Sequence, residues 1–162
     1  MNRLILIAFS VALVACSATD ETKVSPKIKV DRALFSGTWH CATPENSEDD
    51  EISYDGKTTY ANNGLLDGRA LFSIEIPDVS GEFVYEVKIN GTWELKHNEV
   101  HEYIDSVSVK SLNDISVPFE EMLRKAMEKT KVSVSTILAI NSKQLTWRSE
   151  SGAVDSCTKV LE

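Results

Sequence analysis

An all-β fold is what this 162-residue sequence predicts: a sandwich or a closed antiparallel barrel of about eight strands, interrupted by one helix. Three observations carry that reading. Beyond Phe35, apolar and polar residues alternate through most of the chain, which is the period of half-buried strands. Turn dipeptides and short polar connections separate these runs at regular spacing. One segment alone, about residues 117–129, carries apolar residues at helical spacing.

The first strand is placed near residues 35–43. A second covers 51–54 and continues or folds back through 57–62, because Asp55-Gly56 is a hairpin-type dipeptide, as is Asn63-Gly64. Phe72, Ile74 and Ile76 alternate in a strand at 69–76 that ends at Pro77 and a turn over Asp78–Gly81. The longest run, 82–96, puts Phe83, Tyr85, Val87, Ile89, Gly91, Trp93 and Leu95 on one face. That is too long for one flat strand, and Gly91 in its middle predicts a bulge or a sharp bend. A strand over 99–110 follows. In the helix, Phe119, Met122, Leu123, Ala126 and Met127 share one face, with Pro118 near the first turn and Glu120-Glu121 at the positive end of the dipole. That face either caps a barrel mouth or packs against the sheet as core. Three strands complete the domain: 131–140 with Val132, Val134, Leu138 and Ile140 alternating, 144–150 with Leu145 and Trp147, and 153–160.

Charge and motifs narrow the function classes. The chain has 17 Lys+Arg against 25 Asp+Glu and a net charge of −8, which argues against nucleic-acid binding and against electrostatic docking on anionic lipid. No G-x-S-x-G, H-E-x-x-H or P-loop occurs, so no nucleophile–base constellation is visible and the expectation is a non-catalytic protein without a cofactor. The run Glu48-Asp49-Asp50-Glu51 lacks the spacing and the glycine of a calcium loop and reads as a solvated acidic loop. His97, Glu99 and His101 lie around a hairpin tip, with His40 the remaining histidine. They read as polar turn residues, and no metal site is expected.

The N-terminus points to export. Asn2-Arg3 form a short positive region and Leu4 through Ala15 an apolar one broken only by Ser10. The run is shorter than the roughly 20 residues of a spanning helix, and it matches the h-region of a signal peptide. Leu13-Val14-Ala15-Cys16 resembles the lipobox of bacterial lipoproteins. The resemblance implies that residues 1–15 are removed and that Cys16 becomes a lipidated N-terminus, held in the membrane by several acyl chains. Ser17 resembles the residue that follows the cysteine in lipoproteins sorted to the outer membrane. Residues 16–33 are polar, lack periodicity and read as the lipidated cysteine and a flexible tether, leaving the barrel domain at 34–162. With Cys16 lipidated, Cys41 and Cys157 are the remaining cysteines, and the oxidising envelope favours a disulfide between them.

Gly37-Thr38-Trp39 resembles the G-x-W motif that opens the first strand of lipocalins and of short bacterial lipocalin-like lipoproteins. The tripeptide recurs as Gly91-Thr92-Trp93. Trp39-x-Cys41 with Cys157 late in the chain is similar to the cysteine placement of the bacterial members. The resemblance implies an antiparallel lipocalin-like barrel whose first tryptophan plugs the closed end and whose first and last strands are tied together. It departs from that family in lacking a T-D-x-Y motif, in placing the helix before the last three strands, and in carrying Lys159 where an arginine covers the tryptophan. Trp39, Phe72, Tyr85, Trp93 and Trp147 are the candidate barrel-lining residues. Residues this large either plug the barrel or frame a site for one small apolar ligand. The expectation is a mostly filled interior, with any binding confined to a shallow mouth near the helix. The functional expectation is a lipid-anchored binding module of the bacterial cell envelope, for a small apolar ligand or an envelope protein. The alternative is a protein-interaction module, an assembly factor or enzyme inhibitor, with no small ligand.

Overall fold

The computed structural model describes residues 29–43, 52–76 and 79–161. The segment read as a signal peptide, Cys16 and most of the segment read as a tether lie outside the described residues, as do Pro77-Asp78 and the acidic run at 48–51. Eight strands are formed: β1 (Gly37–Ala42), β2 (Ile52–Tyr60), β3 (Leu65–Glu75), β4 (Glu82–Lys96), β5 (Glu99–Ser111), β6 (Val132–Ile140), β7 (Gln144–Ser149) and β8 (Val154–Lys159). Each pairs antiparallel with the next, and β8 returns to β1, closing a barrel. Of the two architectures that alternation permits, the barrel is the one adopted. The disulfide Cys41–Cys157 spans the seam between β1 and β8, where the two residues are cross-strand partners.

Two helices cover the ends. A short helix, α1 (Arg32–Phe35), precedes β1, and its N-cap Asp31 accepts a hydrogen bond from the Ala33 amide at 2.8 Å. Phe35 therefore ends a helix instead of starting the first strand. Val30 is already buried against the core, so ordered packing reaches back into the segment that composition assigns to the tether. The second helix, α2 (Glu120–Met127), follows a 3₁₀ turn at Val117–Phe119 and lies between β5 and β6. Buried Ser116 fixes its approach: its hydroxyl accepts from the Val84 amide at 2.8 Å and its carbonyl accepts from the Tyr85 hydroxyl at 3.2 Å. Glu120 then accepts from both the amide and the hydroxyl of Ser111, at 2.7 and 2.6 Å.

Register decides which side chains enter the barrel. Asn63-Gly64 makes the expected turn, with Gly64 at φ +87°, and β3 begins directly after it at Leu65, earlier than alternation suggests. Asp55-Gly56 makes no turn. Both residues pair across the ladder on either side, Asp55 with Ala42 and Leu71. The glycine serves a close approach there: a Cβ on Gly56 would stand 2.6 Å from the Cβ of Ala70.

The bulge expected at Gly91 is present. Gly91 pairs with Ile104 and Asn90 with Ser106, which leaves Asp105 of β5 unpaired. The strands approach so closely that a Cβ on Gly91 would lie 2.0 Å from the Tyr103 carbonyl oxygen. Because side-chain direction has period two, one extra residue reverses the inward phase of β5. Val100, Glu102 and Ile104 share the inward face before it, and Val107 and Val109 share it after.

In β6 the apolar alternation misidentifies the inner face. Val132 is exposed, whereas Ser133, Ser135 and Ile137 point inward, with Ser133 directly across from Glu102. Ser133 and Ser135 invert the usual pattern over the first half of the strand, and the register shift after Ile137 then returns Ile140 to the core.

Candidate functional site

The barrel is plugged by aromatic rings at one end, holds a second apolar cluster beneath α2 toward the other, and leaves a pocket between them. The turns at 61–64, 97–98 and 141–143 gather at the end covered by α1. There Phe35, at 0 % exposure, stands among four aromatic rings, with centroids 4.7 Å away at Tyr60, 5.2 Å at Trp93, 6.4 Å at Trp39 and 6.5 Å at Trp147. The buried indole N–H groups have partners, as aromatic polar tips require. Trp39 donates to the Phe35 carbonyl at 2.7 Å and Trp93 to the Ala61 carbonyl at 2.9 Å. Cations cover both indoles. The Lys159 ammonium sits 4.9 Å from the Trp39 ring centroid and donates to the Leu34 carbonyl at 2.7 Å, and the Arg32 guanidinium lies 4.5 Å from the Trp93 centroid. Desolvation pulls the Lys159 pKa down.

Beyond this plug lies a cavity of about 290 Å³, to which all eight strands contribute lining residues along with Met127 of α2. The size falls at the lower bound of about 300 Å³ for small-molecule sites. Small inward residues on adjacent strands, Gly56 and Thr58 on β2 and Ala70 on β3, keep the space open. Tyr54, Phe72, Val87, Ile89 and Trp147 supply its apolar surface. The aromatic plug and the cluster of Phe83, Tyr85, Val87 and Val109 fill much of the interior, and the pocket between them reaches Met127 of α2.

Polar groups line the same space. Glu102 receives a hydrogen bond from the Tyr60 hydroxyl at 2.5 Å and another from the Ser133 side chain. The accessible surface it retains belongs to a residue that lines the cavity, and protein surrounds its carboxyl on nearly every side. Burial therefore raises the Glu102 pKa, outweighing the two hydrogen bonds that favour the carboxylate. Burial, reinforced by the negative charge of Glu102, drives the Tyr60 phenol well above its ordinary value. Asp155 accepts from the Tyr54 hydroxyl at 2.8 Å, and desolvation together with that carboxylate raises the Tyr54 pKa. Arg69, the one basic residue among the lining residues, is turned toward Glu86 and is largely exposed.

The five aromatic residues named from sequence divide between these regions. Trp39 and Trp93 belong to the plug, Trp147 touches both plug and cavity, and Phe72 lines the cavity. Tyr85 packs in a second cluster with Phe83, Val87 and Val109, against which Leu123 and Met127 of α2 rest. The helix thus does both things its apolar face allowed: it packs on the sheet, and Met127 reaches the cavity. No protein-family model matches the chain, and no curated protein is significantly similar to it.

The histidines stand apart from the cavity. His40 contacts Asp55 at 2.9 Å and His101 contacts Glu99 at 3.3 Å, while His97 holds a hairpin turn at φ 63°. Sequence reasoning passed over Glu102, Tyr60, Tyr54, Asp155 and Ser133. Glu102 did carry a signal, because it occupies the apolar phase between Val100 and Ile104. A carboxylate on the inward face of a strand is costly unless its surroundings are built for it.

Proposed function

We propose that this chain is a lipoprotein of the bacterial envelope, anchored through acyl chains on Cys16, whose lipocalin-like barrel binds a small ligand without catalysing a reaction. The observation that carries the binding reading is the cavity of about 290 Å³ behind an aromatic plug. Lys159 over Trp39, and the covalent tie between first and last strands, support likeness to the lipocalin arrangement. Outer-membrane attachment rests on Ser17 and on the lipobox-like residues 13–16.

Two experiments test the parts separately. Titrating the full chain with an environment-sensitive naphthalene dye is expected to quench tryptophan fluorescence at micromolar concentration. Filling the space with Ala70→Leu is expected to weaken that binding at least tenfold, and a dye that binds the variant unchanged is not in the cavity. For the anchor, Cys16→Ser is expected to abolish labelling by a palmitate analogue and to leave an unprocessed precursor. Undiminished labelling would remove the lipoprotein reading while leaving the binding reading intact.

A protein-interaction module is the second reading, and one surface favours it. Val117, Phe119 and Met122, at the start of α2, are 59, 42 and 64 % exposed. Apolar side chains clustered at one end of a domain mark contact surfaces. Loss of partner binding on Met122→Lys, with dye affinity unchanged, would give this reading priority.

A further inference from the structure

We propose that the barrel cavity selects a small ligand bearing an amine on an apolar or aromatic body, and that it rejects carboxylates such as fatty acids. The inference rests on the binding reading above and specifies its ligand class.

The cavity wall is acceptor-rich. Glu102 and Asp155 both contribute to it, from β5 and β8, and each already accepts from a tyrosine hydroxyl, Tyr60 at 2.5 Å and Tyr54 at 2.8 Å. An ionised carboxyl offers about four lone-pair sites, so capacity remains on both groups after the tyrosines and Ser133 are counted. Basic side chains do not balance them, since Arg69 faces Glu86. A carboxylate ligand would bring a third negative charge into this space, and like charges in a poorly solvated site repel strongly. An ammonium supplies the missing counter-charge and up to three donors.

The remaining surface suits the rest of such a molecule. Trp147, Tyr54 and Phe72 present aromatic groups to the same space, and a cation over an aromatic face gains further attraction once desolvated. Ser135 adds a hydroxyl that donates or accepts. With about 290 Å³ available, the body is limited to roughly the size of one substituted ring. The raised pKa of Glu102 accords with this chemistry, because burial penalises an unpaired carboxylate there and a cation would relieve that penalty.

Isothermal titration of the full chain in lipid nanodiscs with three probes that share a phenylethyl body, phenethylamine, phenethyl alcohol and hydrocinnamate, tests the inference at pH 7. Phenethylamine is expected to bind at least tenfold tighter than the alcohol and a hundredfold tighter than hydrocinnamate. Glu102→Gln keeps an acceptor for Tyr60 and Ser133, and Asp155→Asn keeps one for Tyr54. Loss of the amine preference in either variant, with near-ultraviolet circular dichroism unchanged, supports the proposal. Equal binding of all three probes, tightest binding of hydrocinnamate, or a preference that survives in the double variant overturns amine selection and leaves the binding reading in place. If none of the three probes nor the naphthalene dye binds, both readings fall.

Discussion

Phe35→Ala is expected to destabilise the domain by about 3–5 kcal/mol, the range for truncating a buried phenylalanine. The side chain is fully buried, and its ring meets Tyr60, Trp93, Trp39 and Trp147, which come from four different strands. Those strands hold their neighbours in place through the barrel ladder, so the surrounding rings have little freedom to collapse into the space left behind. A poorly relaxed void is the costlier kind. The backbone carbonyl of residue 35 still accepts from Trp39 in the variant, which confines the change to packing. Equilibrium denaturation in urea would read the effect as a lower midpoint with an unchanged slope. A loss below about 1 kcal/mol would mean that α1 rests on the barrel without plugging it.

Removing the disulfide is expected to cost about as much by a different route. Cys41 and Cys157 are 116 residues apart in sequence, and the chain-entropy model assigns a loop of that length about 5 kcal/mol. Its place in the ladder adds to the consequence. The register of β1 with β8 has three residue pairs, Trp39 with Lys159, His40 with Thr158 and Cys41 with Cys157, against eleven between β3 and β4. The double variant Cys41→Ala, Cys157→Ala leaves that short seam to its backbone hydrogen bonds. Thermal unfolding of the variant should fall well below that of the oxidised parent. Backbone amides of β1 and β8 should exchange with solvent faster than those of β3 and β4. Parent-like unfolding would place the stabilising closure elsewhere.

Much of the architecture was legible because period two is a direct imprint of half-burial. β4 could be read residue by residue, including the break at Gly91, since seven inward positions there are apolar or glycine. The legible part stops where the interior turns polar. At β6 the valines lie outside and the serines inside, so the pattern that locates a core points to the wrong face. Asp55-Gly56 failed for a related reason: a glycine required by strand proximity looks the same in sequence as a glycine required by a turn. The two cysteines and the plug tryptophans were readable from local motifs. Glu102 and Asp155 come from different strands, and for Glu102 the only local sign is its place between Val100 and Ile104. The phase reversal at Asp105 hides Glu102 further, because it breaks β5 into two half-strands of opposite parity.

The placement of α1 also determines which pole of the barrel the N-terminal side of the described chain enters. The described chain starts at the plugged pole, with Val30 buried beside Phe35, and β8 finishes at that pole too, where Lys159 reaches back to Leu34. Helix α2 and the turn at 150–153 lie at the opposite pole. A tether on the N-terminal side would therefore grip the barrel by its sealed base and turn the helix-capped pole away from the point of attachment. Like a cup fixed by its foot, the domain would meet solutes and neighbours lip first.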